Sequence, residues 1–286
     1  VNNQEIKNWC YRQIVLPNSK TLPIIMGIIN VTPDSFSDGG CYYHLEDAWL
    51  YAKQLIDSGA DILDIGGESS RPGAQPISIT DEIARVVPLI KRIRQNSDIC
   101  ISIDTNKALV MQAAVDAGAG FINDISALCQ EDALITASQL QVPICLMHMQ
   151  GTPKTMQYSP SYSNNIITEI NDFFQDRINC CLEQGIKREY LILDPGFGFG
   201  KTMAHNLQII RDIRQFHHHQ LPIMLGVSRK STLGSIIDKP VGERLIPGIT
   251  INIMACLQGV AIIRTHDVCE TKQALLTMNA VNNLII

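Results

Sequence analysis

Eight short apolar runs, separated by amphipathic stretches, restrict the fold of this sequence more than any other feature. They are PIIMGIIN (23–30), ADILDIG (60–66), ICISIDT (99–105), GFINDIS (120–126), VPICLMH (142–148), EYLILDP (189–195), LPIMLGV (221–227) and GVAIIRTH (259–266). Each is β-branched or Leu-rich and apolar nearly throughout, as strands buried on both faces must be. Helix-period stretches lie between them: LEDAWLYAKQLIDSG, DEIARVVPLIKRIRQN, NKALVMQAAVDAG, NNIITEINDFFQDRINCCLEQG and, last, ETKQALLTMNAVNNLI. In the first, Leu45, Ala48, Trp49, Ala52, Leu55 and Ile56 share one face. Gly59, Gly118 and Gly185 stand where a helix-ending glycine belongs, and Pro88 is a misfit able to kink the second helix. About eight strand–helix units in a row, with no composition break, predict an α/β fold, a single-domain (β/α)8 TIM barrel. An open doubly wound sheet uses the same local pattern, but eight is the closing number. Residues 1–20 read as an N-terminal extension and 21–286 as the barrel.

The bulk chemistry narrows the function classes. Among 286 residues, 45% are hydrophobic, the net charge is -5 and the pI is near 5.8. Neither nucleic acid nor a membrane surface is expected as a partner, since both call for a basic patch or stripe. The stretch VNNQEIKNWCYRQ has no apolar core of a leader, and no run approaches the ~20 residues of a membrane span. The nine cysteines include no C-x-x-C, and most sit inside apolar runs such as DICISID and VPICLMH. That usage predicts reduced thiols and a cytoplasmic location.

Nearly every apolar run ends in a polar residue: Asn30; Asp64 and then Glu68; Asp104; Asn123 and Asp124; His148; Asp194; Ser228-Arg229-Lys230; Arg264 and His266. In a barrel these ends form the catalytic face. Strand ends meet water and carry some polar residues by default, yet a set so rich in Asp, Asn, Lys, Arg and His points to a shared pocket. Asp104 and Asp194 would be partly desolvated carboxylates suited to a ligand edge with two donors. Asn123 can donate and accept, as a fused heterocycle requires. Arg264 and His266, two apart, face the same way and suit an anion. Lys230 adds a cation. No nucleophile–base pair of the Ser-His-Asp kind is evident, and Cys145 is too apolar in setting to be catalytic. LDPGFGFGKT (193–202) imitates a phosphate-binding loop, but that motif needs glycine where Pro195 stands. Lys201 is expected to face solvent or a neighbouring loop, and His217-His218-His219 to form a solvated turn rather than a metal tract. Trp9 and Trp49 read as packing residues. The loops VTPDSFSDGGCYYH and GGESSRPGAQPIS, after the first two strands, have the length of active-site lids.

The stretches NVTPDSFSDGG (30–40), DIGGESSRPGA (64–74), SIDT (102–105), IND (122–124), LMHMQGTPKTMQ (146–157), DPGFGFGK (194–201), GVSRKS (226–231) and RTHDV (264–268) closely resemble the bacterial dihydropteroate synthase family. They occur in family order from about residue 24 to the end. The resemblance implies a pterin-binding barrel, usually dimeric. It would join 4-aminobenzoate to 6-hydroxymethyl-7,8-dihydropterin diphosphate with Mg²⁺, releasing diphosphate by an SN1-like route. Sulfonamides would act as competitive mimics of 4-aminobenzoate.

By the same resemblance, Asp104, Asn123, Met147, Asp194, Phe199 and Lys230 hold the pterin, and Asn30, Arg264 and His266 the diphosphate, with Asn30 also on the metal. Phe36, Ser70, Arg71 and Ser231 border 4-aminobenzoate. Asp104, Lys230, Asp34 and Asp194 form the catalytic set. Two departures stand out. Ser70 replaces the family's common threonine and keeps its hydroxyl, while Thr265 replaces a common valine and, by strand alternation, faces away from the site. Two other readings are a pterin-binding methyltransferase, which would lack NVTPDSFSDGG and the Lys230 segment, and an inactive barrel, which the intact acids and lysine disfavour.

Overall fold

The computed structural model describes residues 22–32, 41–69 and 73–282. Strands β1 (Ile24–Asn30), β2 (Ile62–Gly66), β3 (Cys100–Asp104), β4 (Phe121–Asp124), β5 (Ile144–Met147), β6 (Leu191–Asp194), β7 (Met224–Leu225) and β8 (Ile262–Thr265) are all parallel. Their order around the sheet is β6-β5-β4-β3-β2-β1-β8-β7, and a bridge from Leu193 to Ile223 joins the two edges. The expected (β/α)8 barrel is therefore what forms, as one domain. Helices α1 (Cys41–Asp57), α2 (Ile79–Arg94), α3 (Ala108–Ala117), α4 (Ala133–Leu140), α5 (Ile166–Glu183), α6 (Met203–Asp212), α7 (Ser231–Ile237), α8 (Leu245–Cys256) and α9 (Val268–Asn282) surround it.

The local chemistry explains several boundaries. Ser78 caps α2 by accepting the Asp81 N–H at 3.0 Å, and Lys91, Arg92 and Arg94 sit in its last turn, where the helix dipole favours cations. Pro88 lies within α2 without ending it. Gly59, Gly118 and Gly185 all take positive φ at helix ends, as expected. The His217–His219 tract departs from the expected solvated turn. It closes a 3₁₀ segment (Ile213–His219), and His219 is buried with Nε2 3.2 Å from Asn171 Oδ1. None of the described helices is long and apolar enough to cross a membrane.

Two apolar layers follow from the strand period of two. Ile25, Ile29, Leu63, Ile65, Ile101 and Ile103 face outward and pack on helix residues such as Ala48, Ala52, Val86 and Leu89. The opposite phase fills the barrel with Ile24, Met26, Ile62, Cys100, Phe121, Cys145, Ile192, Met224 and Ile262. This plug closes the N-terminal end and leaves a floor on which polar side chains can stand. Phe121 is its largest fully buried ring. Phe121→Ala is expected to cost about 3–5 kcal/mol through lost transfer energy and a residual cavity. A urea midpoint unchanged from wild type would contradict that placement.

Candidate active site

One step nearer the C-terminal ends, the inward phase changes from apolar to polar. Asp64 pairs in register with Ser102, Asp104 with Asn123, and Met147 with Asp194. Asp64 is fully buried and accepts from Ser102 Oγ at 2.5 Å, Asn123 Nδ2 at 3.0 Å and Arg264 Nε at 2.6 Å. Arg264 Nη2 reaches Asp104 at 2.6 Å, so one guanidinium bridges two carboxylates. Burial works against the arginine's charge, but Asp64 and Asp104 more than offset it and raise its pKa. Burial also pushes Asp104 up to about 7, against the pull of Arg264 and with help from the charge of Asp64. Gly66 lies beside Asp104, and a β-carbon there would meet the aspartate's own at 3.5 Å. Asp124 faces the other way. It accepts the N–H groups of Ser126 and Leu128 at 2.7 and 2.8 Å and shapes the loop to α4.

Asp194 stands across the mouth, raised by burial and opposed first by Lys230. Burial pulls the Lys230 ammonium down to about 8. Its Nζ donates to the Phe197 carbonyl and sits 4.5 Å from the centre of the Phe199 ring. Phe199 itself is half-buried, and Met147 is buried at the end of β5.

The glycine-rich loop after β6 has a packing purpose. At Gly196 (φ +67°) a β-carbon would lie 1.9 Å from the His148 carbonyl oxygen, and at Gly200 (φ +65°) 2.5 Å from that of Gln150. Only glycine lets the two backbones touch there. The N–H groups a phosphate would need are occupied: Gly196 donates to Asp194 Oδ1 at 2.7 Å, Gly198 to Asn206 Oδ1 at 2.7 Å and Phe199 to the Gly196 carbonyl at 3.1 Å. Lys201 does not face solvent, contrary to one of the two expectations. It is buried against the neighbouring loop, with Nζ 2.9 Å from His148 Nδ1 and donating to the carbonyls of His148 (3.3 Å) and Phe199 (3.0 Å). Burial and then the Lys201 charge hold His148 at about 2, so its ring stays neutral.

Asn30 is half-buried at the end of β1, level with Gly66. His266 follows β8 and contacts Ser228 Oγ through both its backbone N–H (3.2 Å) and Nδ1 (3.1 Å). Arg264 is in phase with His266 but is turned onto Asp64 and Asp104, a partnership the sequence reading did not contain. Ser231 is exposed at the first turn of α7, and buried Thr265 accepts the Asp267 N–H at 3.0 Å, away from the site. Asp34, Phe36, Ser70 and Arg71 lie outside the described residues.

Residues 26–266 match the family described as Pterin binding enzyme. The dihydropteroate synthase of Escherichia coli (strain K12) is 45% identical over 258 residues, 90% of this chain and 91% of that one. The Yersinia pestis dihydropteroate synthase, solved as a sulfonamide drug complex, superposes with a TM-score of 0.87 at 46% identity, covering 93% and 96% of the two chains. That of Xanthomonas albilineans, solved with 4-aminobenzoic acid, gives 0.87 at 38% identity over 93% and 95%. The chain belongs to the dihydropteroate synthase family.

It is accordingly an enzyme, a transferase with the dihydropteroate synthase activity, and the fold and family expected from the sequence both hold. The structure gives specific roles to Asp64, which the sequence placed only among the polar strand ends, and to Lys107, which it did not single out. Asp64 anchors the polar layer, and its signal was its phase: it lies two residues after Ile62, inside ILDIG. Lys107 joins Glu68 to buried Glu82 (2.6 Å to the latter), tying the loop after β2 to α2 and the start of α3. No periodicity announces such a brace. The close contact at Gly196 gives a direct test in a dihydropteroate synthase of this architecture. Gly196→Ala must combine left-handed strain with a backbone clash, for a loss of about 2–5 kcal/mol. A melting temperature equal to wild type would show that the loop does not pack on His148 as described.

Proposed function

We propose that this enzyme joins 4-aminobenzoate to 6-hydroxymethyl-7,8-dihydropterin diphosphate, releasing diphosphate and forming 7,8-dihydropteroate. The observation that carries the reading is the inward polar layer above an apolar floor: Asp104, Asn123, Asp194 and Lys230 converge on the barrel mouth. The carboxylates suit the amino and ring N–H donors of a pterin, and Lys230 a ring carbonyl or nitrogen. Met147 and the Phe199 ring offer it apolar walls. Ring donors replace Arg264 Nη2 at Asp104, and the guanidinium then turns, with His266 and Asn30, toward the diphosphate. By sequence, Phe36 from the first loop and Ser70, Arg71 and Ser231 complete the arylamine side, where sulfonamides compete, and Asp34 from that first loop joins Asp104 in stabilising the cation.

Among the described residues no group of three or more His, Cys, Asp or Glu side chains is placed to hold a metal ion. A magnesium ion borne by a diphosphate needs only one or two protein oxygens, and the Asn30 amide oxygen fits that limited demand. Bound there with the substrate, Mg²⁺ would supply charge neutralisation for the departing diphosphate. The chain's own part is electrostatic. Arg264 and His266 hold the leaving anion, the Asp104 carboxylate stabilises the delocalised pterin cation, and Lys230 and Asp194 fix the ring while the arylamine nitrogen attacks. Departure therefore precedes attack.

Two further expectations belong to this reading. Ile236, Ile237, Val241, Ile246 and Met254 expose apolar surface on α7, α8 and the segment joining them, as does Leu257 just after α8, which supports a homodimer. The free cysteines among the described residues support a cytoplasmic setting.

Purified protein given pterin diphosphate, 4-aminobenzoate and Mg²⁺ is expected to form dihydropteroate, and chelation of the metal to stop it. Asp104→Ala and Asp194→Ala should each lower kcat/KM by roughly 10²–10³-fold; near-wild-type rates in folded variants would remove both from the mechanism. Diphosphate released without 4-aminobenzoate would support the departure-first order. A pH dependence also follows. Asp104 is protonated in the free enzyme below about 7, and pterin donors need it ionised. Binding of a pterin analogue should therefore tighten as pH rises from 6 to 8 and release a proton below 7. Calorimetry in buffers of different ionisation enthalpy reads this, and equal apparent enthalpies at pH 6 would refute it.

A further inference from the structure

We infer that Ser228 and Asp267 are positioning residues that keep the proton of the His266 ring on Nδ1 and so set which edge of the ring turns toward the anion. The protons available at a single hydroxyl decide it. Ser228 Oγ has one hydrogen and two lone pairs. Asp267 Oδ2 lies 3.2 Å away and, as a carboxylate, can only accept, so the hydroxyl proton goes there. The His266 backbone N–H, which can only donate, takes one lone pair at 3.2 Å. What remains for His266 Nδ1, at 3.1 Å, is the second lone pair, and Nδ1 must therefore be the protonated nitrogen.

Asp267 is itself held in place. Its Oδ1 accepts from Arg229 Nη2 at 2.6 Å, and its backbone N–H donates to Thr265 Oγ1 at 3.0 Å. The carboxylate therefore cannot easily swing away and release the serine proton. Thr265, the departure from the family's common valine, thus contributes a hydroxyl to this same turn. Nε2 donates to a bound anion once it has taken a proton from solvent, and the resulting imidazolium is stabilised by the Asp267 charge through the Ser228 hydroxyl. This inference rests on the anion role proposed above for His266, but the tautomer is a property of the free enzyme and can be measured without substrate.

Nitrogen-15 NMR of histidine-labelled, ligand-free protein tests it, with His266 assigned by the signals lost in His266→Gln. Wild type is expected to show a protonated Nδ1. Ser228→Ala should abolish that preference and raise KM for the pterin diphosphate about tenfold, with KM for 4-aminobenzoate unchanged. Ser228→Thr, which keeps the hydroxyl, should restore both readings. Asp267→Asn can donate to the serine oxygen and so allow the opposite tautomer. A wild-type signal with Nδ1 unprotonated, or a Ser228→Ala signal unchanged from wild type, would overturn the inference. A shifted tautomer with an unchanged KM for the diphosphate substrate would support the tautomer assignment and overturn the anion role of His266 instead.

Discussion

The carboxylate of Asp64 is the interaction on which the rest of the site depends. It is buried at the centre of the barrel, where an unpaired charge would cost several kcal/mol, and it is satisfied only because Ser102, Asn123 and Arg264 all point at it. Each partner is thereby fixed. Asn123 has its amide nitrogen committed, so its orientation is set before any ligand arrives. Arg264 is drawn inward across the barrel and lands on Asp104 as well. A residue outside the chemistry thus decides the posture of residues inside it, which is how an interior layer preorganises a site.

The opposite wall is held by backbone rather than by charge. The loop from Asp194 to Thr202 is pressed on the segment after β5, and Tyr162 and Gln157 bind the carbonyls of Gly200 and Gly198 at 2.9 and 2.7 Å. Lys201 closes the same seam from beneath. The carbonyl of Phe197 is left to receive Lys230, whose ammonium lies against the Phe199 ring. Phe197 and Phe199, inside a loop that imitates a phosphate-binding one, thus brace a cation beside Asp194.

Much of this was legible in the sequence, for identifiable reasons. Strands buried on both faces leave continuous apolar runs, and a period of two tells which of their residues face inward. That is why Asp104, Asn123, Asp194 and Arg264 could be gathered into one pocket from spacing alone. The helices α1, α2, α3, α5 and α9 showed periodicity, whereas α8 (LIPGITINIMAC) did not. It buries Ile251 and Ala255 and yet exposes Ile246 and Met254, so no polar face contrasts with its apolar one. The burial of Lys201 and of His219 was not readable, because lysine and histidine ordinarily face water and only tertiary partners in other loops reverse that. Nor was the pairing of Arg264 with Asp64, separated by 200 positions. Sequence phase says that two side chains face one cavity, not which of them will bind each other.

That last pairing bears on how the site distinguishes its substrate from bare diphosphate. Arg264 in this structure pairs with Asp64 and Asp104, and on the proposed reading an anion that turns the guanidinium toward itself would draw it away from Asp104. Free diphosphate offers Asp104 nothing in return, leaving a desolvated carboxylate without its cation. On the proposed reading, a molecule carrying ring donors and an anion together would replace the arginine at Asp104 while accepting it at the phosphate end, so the exchange would be compensated within one binding event. The donor edge and the leaving group would then be recognised as a unit, although each meets different residues. The raised pKa of Asp104 sharpens the distinction, because without donors or Arg264 that carboxyl would rather hold a proton than a charge.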